Sequence, residues 1–338
     1  MSSSTMRTVR AVAAGKPFEP ATLPVPEPGP GQVRVKVHAC GVCGGDGVTR
    51  FDALGLGTPR TPGHEVAGVV DAVGDGVTAW RPGDRVGAGW HGGHCFTCRA
   101  CRRGDFVNCA ERLITGASFD GGYAEYMVAP QAALARVPDA LALEEAAPLM
   151  CAGLTTFNAL RHSGARPGDT VAVQGIGGLG HLAVQYADKM GLRVVAVNRG
   201  RAKEELARRL GADEYVDSEE SSAGAQLARL GGARVVLATV GSAQAQADIA
   251  TGLTPNGRMV VIANDHDPIP VPGDLLMFGR REVTGWYSGH AADAEDAMEF
   301  AVLTGVRPMV QTRPLAEAED AFQTMNRARF RTVLTMDR

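Results

Sequence analysis

The segment HCFTCRACRRGDFVNC places Cys95, Cys98, Cys101 and Cys109 in the spacing C-x2-C-x2-C-x7-C. Thiolates on short loops can close on one tetrahedral zinc with legs of about 2.3 Å, and four cysteines leave no position for water or substrate. That describes a structural metal site. Four thiolates also suit an iron–sulfur cluster, whose motifs generally use other spacings.

A second set is dispersed. Cys43 in GVCGGDG, His64 and Glu65 in PGHEV, and Cys151 in APLMCAGLTT supply two thiols, an imidazole and a carboxylate. Taken singly, His64 reads as an ordinary histidine and Cys151 as a small buried hydrophobe. Taken together, two cysteines and one histidine match a catalytic zinc whose fourth position stays open, with Glu65 as an alternative ligand or an outer partner. Asp46, three residues after Cys43, has the chemistry to orient the histidine ring.

The third set is GIGGLG: Gly175, Ile176, Gly177, Gly178, Leu179 and Gly180, in the pattern G-x-G-x-x-G. It follows the apolar run TVAVQ and opens a helical pattern, so its glycines would give a tight turn and its helix N-terminus would receive a pyrophosphate. The next apolar run, RVVAVN, ends at Asn198, where an aspartate would hold ribose hydroxyls; Arg199, Arg201 and Lys203 follow. With no carboxylate to repel a 2′-phosphate and cations to pair with it, NADP(H) is favoured over NAD(H). The plain alternative is that these cations are solvated charges at a helix start.

The elements that must position these residues fall into two kinds. Up to about residue 153 the chain is rich in glycine and proline, with short alternating runs such as GQVRVKVHA, in which Val33, Val35 and Val37 alternate with Arg34, Lys36 and His38. That is the period of a half-buried strand, and the region reads as a small β-barrel. From there to about residue 287, apolar strands (TVAVQG, RVVAVN, ARVVLATVG, GRMVVIAN, REVTGW) alternate with helical stretches, the signature of βαβ units and a parallel sheet of six strands. In the helix after the glycines, Leu179, Leu182, Ala183, Tyr186 and Met190 share one face, and Gly191 stops it. Two helices, DAEDAMEFAVLTG and EAEDAFQTMNRA, and the strand FRTVLTM close the chain, a tail that can return to the first domain.

A length of 338 residues suits two domains. The formal net charge of -3 gives no footprint for nucleic acid, and no apolar run is long enough for a membrane span. MSSSTMRTVR lacks the apolar stretch of a secretory signal, so the expected location is cytoplasmic. Seven cysteines, none after residue 151, point to metal chemistry in the first half rather than to disulfides. Cys40, without an evident partner, reads as a buried structural thiol.

With these residues assembled, the chain resembles the zinc-dependent medium-chain alcohol dehydrogenases, in particular the bacterial and cinnamyl-alcohol-type branch. The resemblance runs nearly end to end, through GQVRVKVHACGVC, PGHEVAGVV, RPGDRVG, the four-cysteine segment, DGGYAEYMVAP, CAGLTTFNAL, GIGGLGHLAVQ and ARFRTVLTM. It implies a GroES-like β-barrel catalytic domain (1–153 and 288–338, with a structural zinc lobe at about 91–112) and a Rossmann doubly wound parallel sheet domain (154–287). It implies two zincs per chain, one held by Cys43, His64 and Cys151, the other by Cys95, Cys98, Cys101 and Cys109, with Arg331 at the cofactor pyrophosphate. Trp90, Phe119 and Trp286 become candidates for the pocket wall. Zinc would act as a Lewis acid on a substrate oxygen while hydride passes to or from the nicotinamide. Relatives are homodimers or homotetramers.

One position departs from the family. Two residues after the first zinc cysteine, relatives usually carry serine or threonine, which starts the proton relay; here Gly45 stands there, and Val48 replaces a histidine that some relatives use. Neither residue can carry a proton. Three readings follow: an alcohol–carbonyl oxidoreductase, reduction favoured, that draws its proton from water, His91 or Tyr123; a reductase of conjugated C=C or C=N bonds; or a catalytically silent zinc- and nucleotide-binding protein.

Overall fold

The alternation that begins at Val33 forms the strand Gln32–Gly41, with Val33, Val35 and Val37 buried. The protein is described by a computed structural model over residues 4–263, 267–325 and 330–336. Its chain divides into two compact units: Met1–Leu154 with Ser288–Leu303 and Arg307–Arg338, and Thr155–Tyr287 with Thr304–Val306.

In the first unit, Gln32–Gly41 pairs antiparallel with Val66–Val73, Tyr126–Pro130 and the closing strand Arg331–Thr335. Arg85–Ala88 and Leu134–Arg136 extend the sheet on one side, and Val310–Pro314 ends it on the other. The closing strand thereby lies against the strand that leads into Cys43, with Val333 opposite Gly41. Val9, Phe18, Val35, Val66, Met127 and Leu334 belong to the core beneath. The helix expected from EAEDAFQTMNRA runs Ala318–Thr324; Asn326 to Ala328 lie outside the described residues.

In the second unit the strands are β1 (Thr170–Gln174), β2 (Arg193–Asn198), β3 (Glu214–Asp217), β4 (Ala233–Ala238), β5 (Leu253–Val261) and β6 (Glu282–Gly285). All pairings are parallel, in the order β3-β2-β1-β4-β5-β6. That order reverses direction at β1, the doubly wound arrangement whose ligands bind at the carboxyl ends of the strands beside the switch. The helix α1 (Gly180–Lys189) follows β1 and buries Leu182, Ala183 and Tyr186 completely. Gly191 takes the left-handed φ of 77° that ends such a helix. Of the six strands, β3 is the one whose run, EYVD, is too short and too acidic to stand out by period. No helix among the described residues is long and apolar enough to cross a membrane.

Candidate metal centres and cofactor loop

The dispersed residues converge in the first unit. Ligand atoms of Cys43, His64, Glu65 and Cys151 all lie within 4.8 Å of one another. Each segment delivers its residue by a different device. Cys43 immediately precedes the 3-10 turn Gly44–Asp46, and its backbone N–H donates to the Asp46 carboxylate at 3.0 Å. His64 and Glu65 sit just ahead of strand Val66–Val73, with the Gly41 N–H bonded to the Glu65 carbonyl at 2.9 Å. Cys151 lies in a π-helical turn, Leu149–Gly153, between the helices Leu143–Pro148 and Leu154–Arg161. Such a turn inserts a residue into the helical register and re-aims a side chain, and Pro148, which has no N–H to donate, stands at its entrance.

Asp46 orients the histidine. Its Oδ1 lies 2.8 Å from His64 Nδ1, and both residues are almost fully buried. Burial works against the charge, but Asp46 and Cys43 hold the imidazolium well above the ordinary histidine range. In the neutral ring, with Nδ1–H donating to the carboxylate, the lone pair that can hold a metal is on Nε2. That atom is buried and has no hydrogen-bond partner, and the same holds for Glu65 Oε2. A buried acceptor without a partner costs free energy unless a ligand satisfies it. Two orphaned acceptors beside two thiols 3.9 Å apart fit a metal ion well, because tetrahedral zinc–sulfur legs of about 2.3 Å span a sulfur–sulfur edge of about 3.8 Å.

Electrostatics favour deprotonation of one thiol. The hydrogen bond with Cys151, aided by His64 and Arg331 and opposed by burial, holds Cys43 well below the ordinary thiol range; the same bond and burial push Cys151 well above it. Burial raises Glu65 to about 7, against the pull of Arg331. The Arg331 guanidinium donates to Glu65 Oε1 and to the Val42 carbonyl. Arg331, which the resemblance puts at the cofactor pyrophosphate, is buried and bonded to a carboxylate that belongs to the candidate metal cluster.

Cys95, Cys98, Cys101 and Cys109 also bring their Sγ atoms within 4.8 Å of one another. Backbone N–H groups of Cys98, Cys101 and Cys95 point at Sγ of Cys95, Cys98 and Cys109, at 3.3 to 3.5 Å. Amides aimed at sulfur stabilise thiolates. The arrangement is closed, with no non-cysteine ligand in the cluster.

In the second unit the glycine-rich loop connects β1 to α1. Gly175 adopts φ 91°, and a Cβ on Gly180 would lie 1.7 Å from the Gly175 carbonyl oxygen, so only glycine allows the helix to pack this close to the strand. Asn198 Oδ1 accepts from the Ile176 N–H at 3.3 Å, and Lys203 Nζ donates to the Ile176 carbonyl at 2.6 Å. Arg201 is held by Glu204 at 2.7 Å and Glu220 at 2.9 Å. Arg199 is exposed and, among the described residues, makes no ion pair.

The remaining candidates divide. Trp90 packs edge-on against His64, centroids 4.9 Å apart at 90°. Phe119 packs on the β core, and Trp286 stacks on His162 at 4.4 Å. Tyr123 donates its hydroxyl to Asp46 Oδ2 at 2.9 Å, and His91 Nε2 lies 3.0 Å from His94 Nδ1. Cys40 is fully buried. Sequence reasoning did not connect Arg331 with Glu65 or Tyr123 with Asp46; both pairs are far apart in the chain, and no local pattern marks them.

Two family models match the chain: the alcohol dehydrogenase GroES-like domain over residues 29–139 and the zinc-binding dehydrogenase over residues 178–302. An alcohol dehydrogenase, notN, of Aspergillus sp. (strain MF297-2) is 46% identical over 325 residues, covering 96% of each chain. The crystal structure of an NAD-dependent alcohol dehydrogenase is similar over 98% of this chain and 100% of its own, with TM-score 0.92 and 31% identity. That of CAD from Helicobacter pylori complexed with NADP(H) is similar over 98% of each chain, with TM-score 0.87 and 25% identity.

Proposed function

We propose a reaction for this chain from one premise: it belongs to the zinc-dependent medium-chain alcohol dehydrogenases. It is an oxidoreductase acting on small alcohols or carbonyl compounds with a nicotinamide cofactor. The finer reading is NADPH-dependent reduction of an aldehyde or ketone, with zinc held by Cys43, His64 and Cys151 and a second, structural zinc in the four-cysteine lobe. The observation that carries the catalytic metal in this reading is the pair of buried, partnerless atoms, His64 Nε2 and Glu65 Oε2, beside two thiols.

Zinc held by Cys43, His64 and Cys151 would supply Lewis acidity toward a substrate oxygen, and a bound nicotinamide would supply the hydride. The chain's own residues do the rest. Asp46 fixes the His64 tautomer, Arg331 offsets the Glu65 charge, and Trp90 packs edge-on against the His64 ring. The glycine-rich loop presents the start of α1 to a pyrophosphate. Support for NADP(H) comes from Asn198 in place of an acid and from the unpaired Arg199. Gly45 has no proton to give, the Tyr123 hydroxyl donates to Asp46 and burial lowers the His91 pKa to about 4, so in this reading the proton that completes carbonyl reduction comes from solvent.

The bare position at Gly45 also favours a second reading, reduction of a conjugated C=C or C=N bond. Purified enzyme with NADPH and separate panels of aldehydes, enals and imines decides between them. Allylic alcohols from enals support carbonyl reduction, whereas saturated aldehydes with no allylic alcohol overturn it. A homodimer is proposed through β6, an edge strand exposed along its whole length beside the exposed Met277 and Phe278.

A further inference from the structure

Asp46 carries three bonds through two oxygens. Oδ1 faces His64 Nδ1, while Oδ2 accepts from the Cys43 backbone at 3.0 Å and from the Tyr123 hydroxyl at 2.9 Å. Tyr123 is completely buried, and Asp46 and His64 nearly so. A charge-assisted bond in such a dry setting is worth more than at the surface, and its loss leaves a carboxylate lone pair without a donor. Burial, followed by the neighbouring Asp46, holds the Tyr123 phenol well above its ordinary range, so the group stays a donor.

The backbone of the same residue grips the segment that carries His64. Tyr123 N–H donates to the Pro62 carbonyl at 3.0 Å, and its own carbonyl accepts from Val9 N–H at 2.8 Å. Its ring passes directly over Gly63, where a Cβ would stand 2.5 Å from Tyr123 Cδ1. Gly63 is the residue before His64 and has φ 103°, so both its conformation and the space above it demand glycine. Tyr123 therefore touches both sequence-distant segments whose relative placement aims Nε2: the turn after Cys43 and the loop before His64.

We propose that Tyr123 is a positioning residue for the catalytic metal, its hydroxyl fixing Asp46 and, through Asp46, the His64 ring. The inference rests on the metal role proposed for His64. Its hydroxyl accordingly serves to hold a ligand rather than to deliver the substrate proton.

The test compares full-length wild type, Tyr123→Phe and Phe18→Leu. Phe18 packs edge-on to Tyr123 at 6.1 Å, so its variant loosens the packing and keeps the hydroxyl. Zinc release to a chromophoric chelator is followed in each, and the d–d spectrum is recorded after cobalt replaces the catalytic metal. Tyr123→Phe is expected to release the catalytic metal about tenfold faster, to alter the cobalt spectrum and to leave release from the four-cysteine site unchanged. Phe18→Leu is expected to lower Tm without changing either release rate. Wild-type release and spectrum in Tyr123→Phe would overturn the proposal, as would equal acceleration at both metals or the same acceleration in Phe18→Leu. A wild type that binds only the four-cysteine zinc would overturn the metal reading beneath it, an outcome distinct from the others.

Discussion

Gly45 faces the His64 ring so closely that a Cβ built on it lies 2.8 Å from Cε1, and 3.0 Å from Trp90 Cζ3. The position that lacks a proton donor therefore also lacks room for one. Serine at 45 is expected to displace His64 at a cost of about 1–3 kcal/mol, the usual range for overpacking. Gly45→Ser and Gly45→Ala should both lower zinc retention and carbonyl reduction. A gain of reductase activity in the serine variant alone, measured by NADPH oxidation, would show that space is not the constraint.

The two thiol clusters should answer differently to loss of a ligand. Cys98→Ser is expected to remove one zinc per chain and lower Tm, because structural sites supply folding free energy directly. Cys43→Ser should abolish turnover with a far smaller change in Tm. Metal analysis with calorimetry checks both; a large fall in Tm for Cys43→Ser and none for Cys98→Ser would reverse the assignment.

Cofactor choice should hinge on Arg199, because Arg201 is already engaged by Glu204 and Glu220. Arg199→Ala is expected to raise KM for NADPH by roughly 10- to 100-fold, the loss of one charge-assisted bond of about 1.5–3 kcal/mol, and to leave KM for NADH nearly unchanged. Glu220→Gln frees Arg201 in part and should lower KM for NADPH. Equal effects on both cofactors would remove the argument for a 2′-phosphate contact.

Stability should depend on pH through His91. Burial first, then the neighbouring His94, His290 and Arg112, lower its pKa from 6.5 to about 4. Between those values the unfolded chain binds a proton that the folded chain does not, so this contribution to stability is present above 6.5 and is lost as pH falls toward 4. Tm measured from pH 7 to pH 4.5 should fall less steeply in His91→Gln than in wild type. Parallel curves would exclude His91 as a source of the slope.

The motifs with internal spacing were the most legible. Four cysteines in one loop and six residues of glycine-rich turn carry their geometry in the sequence, and the fold class followed from the change of period near residue 153. Strand β3 escaped because four residues, two of them acidic, give no period to read. The dispersed ligands could be grouped by residue chemistry, but the family resemblance was needed to assign them by position, since nothing local to Cys43, His64 or Cys151 specifies the others. The partnerships of Glu65 with Arg331 and of Asp46 with Tyr123 span 266 and 77 residues. They depend on which strands become neighbours, a tertiary outcome that residue order does not display.

Three glycines around the metal cluster each stand where another residue's side chain needs their missing Cβ: Gly41 beneath Glu65, Gly63 beneath Tyr123 and Gly45 beside His64. They act as a mould whose cast is the constellation itself. For protein engineering this means the centre resists stepwise change, because a new function at any of these positions requires its facing side chain to shrink in the same step. At Gly45 the nearest side chain is His64 itself, so libraries that vary Gly45 together with Trp90 should still return losses, because shrinking Trp90 leaves the contact with the histidine in place.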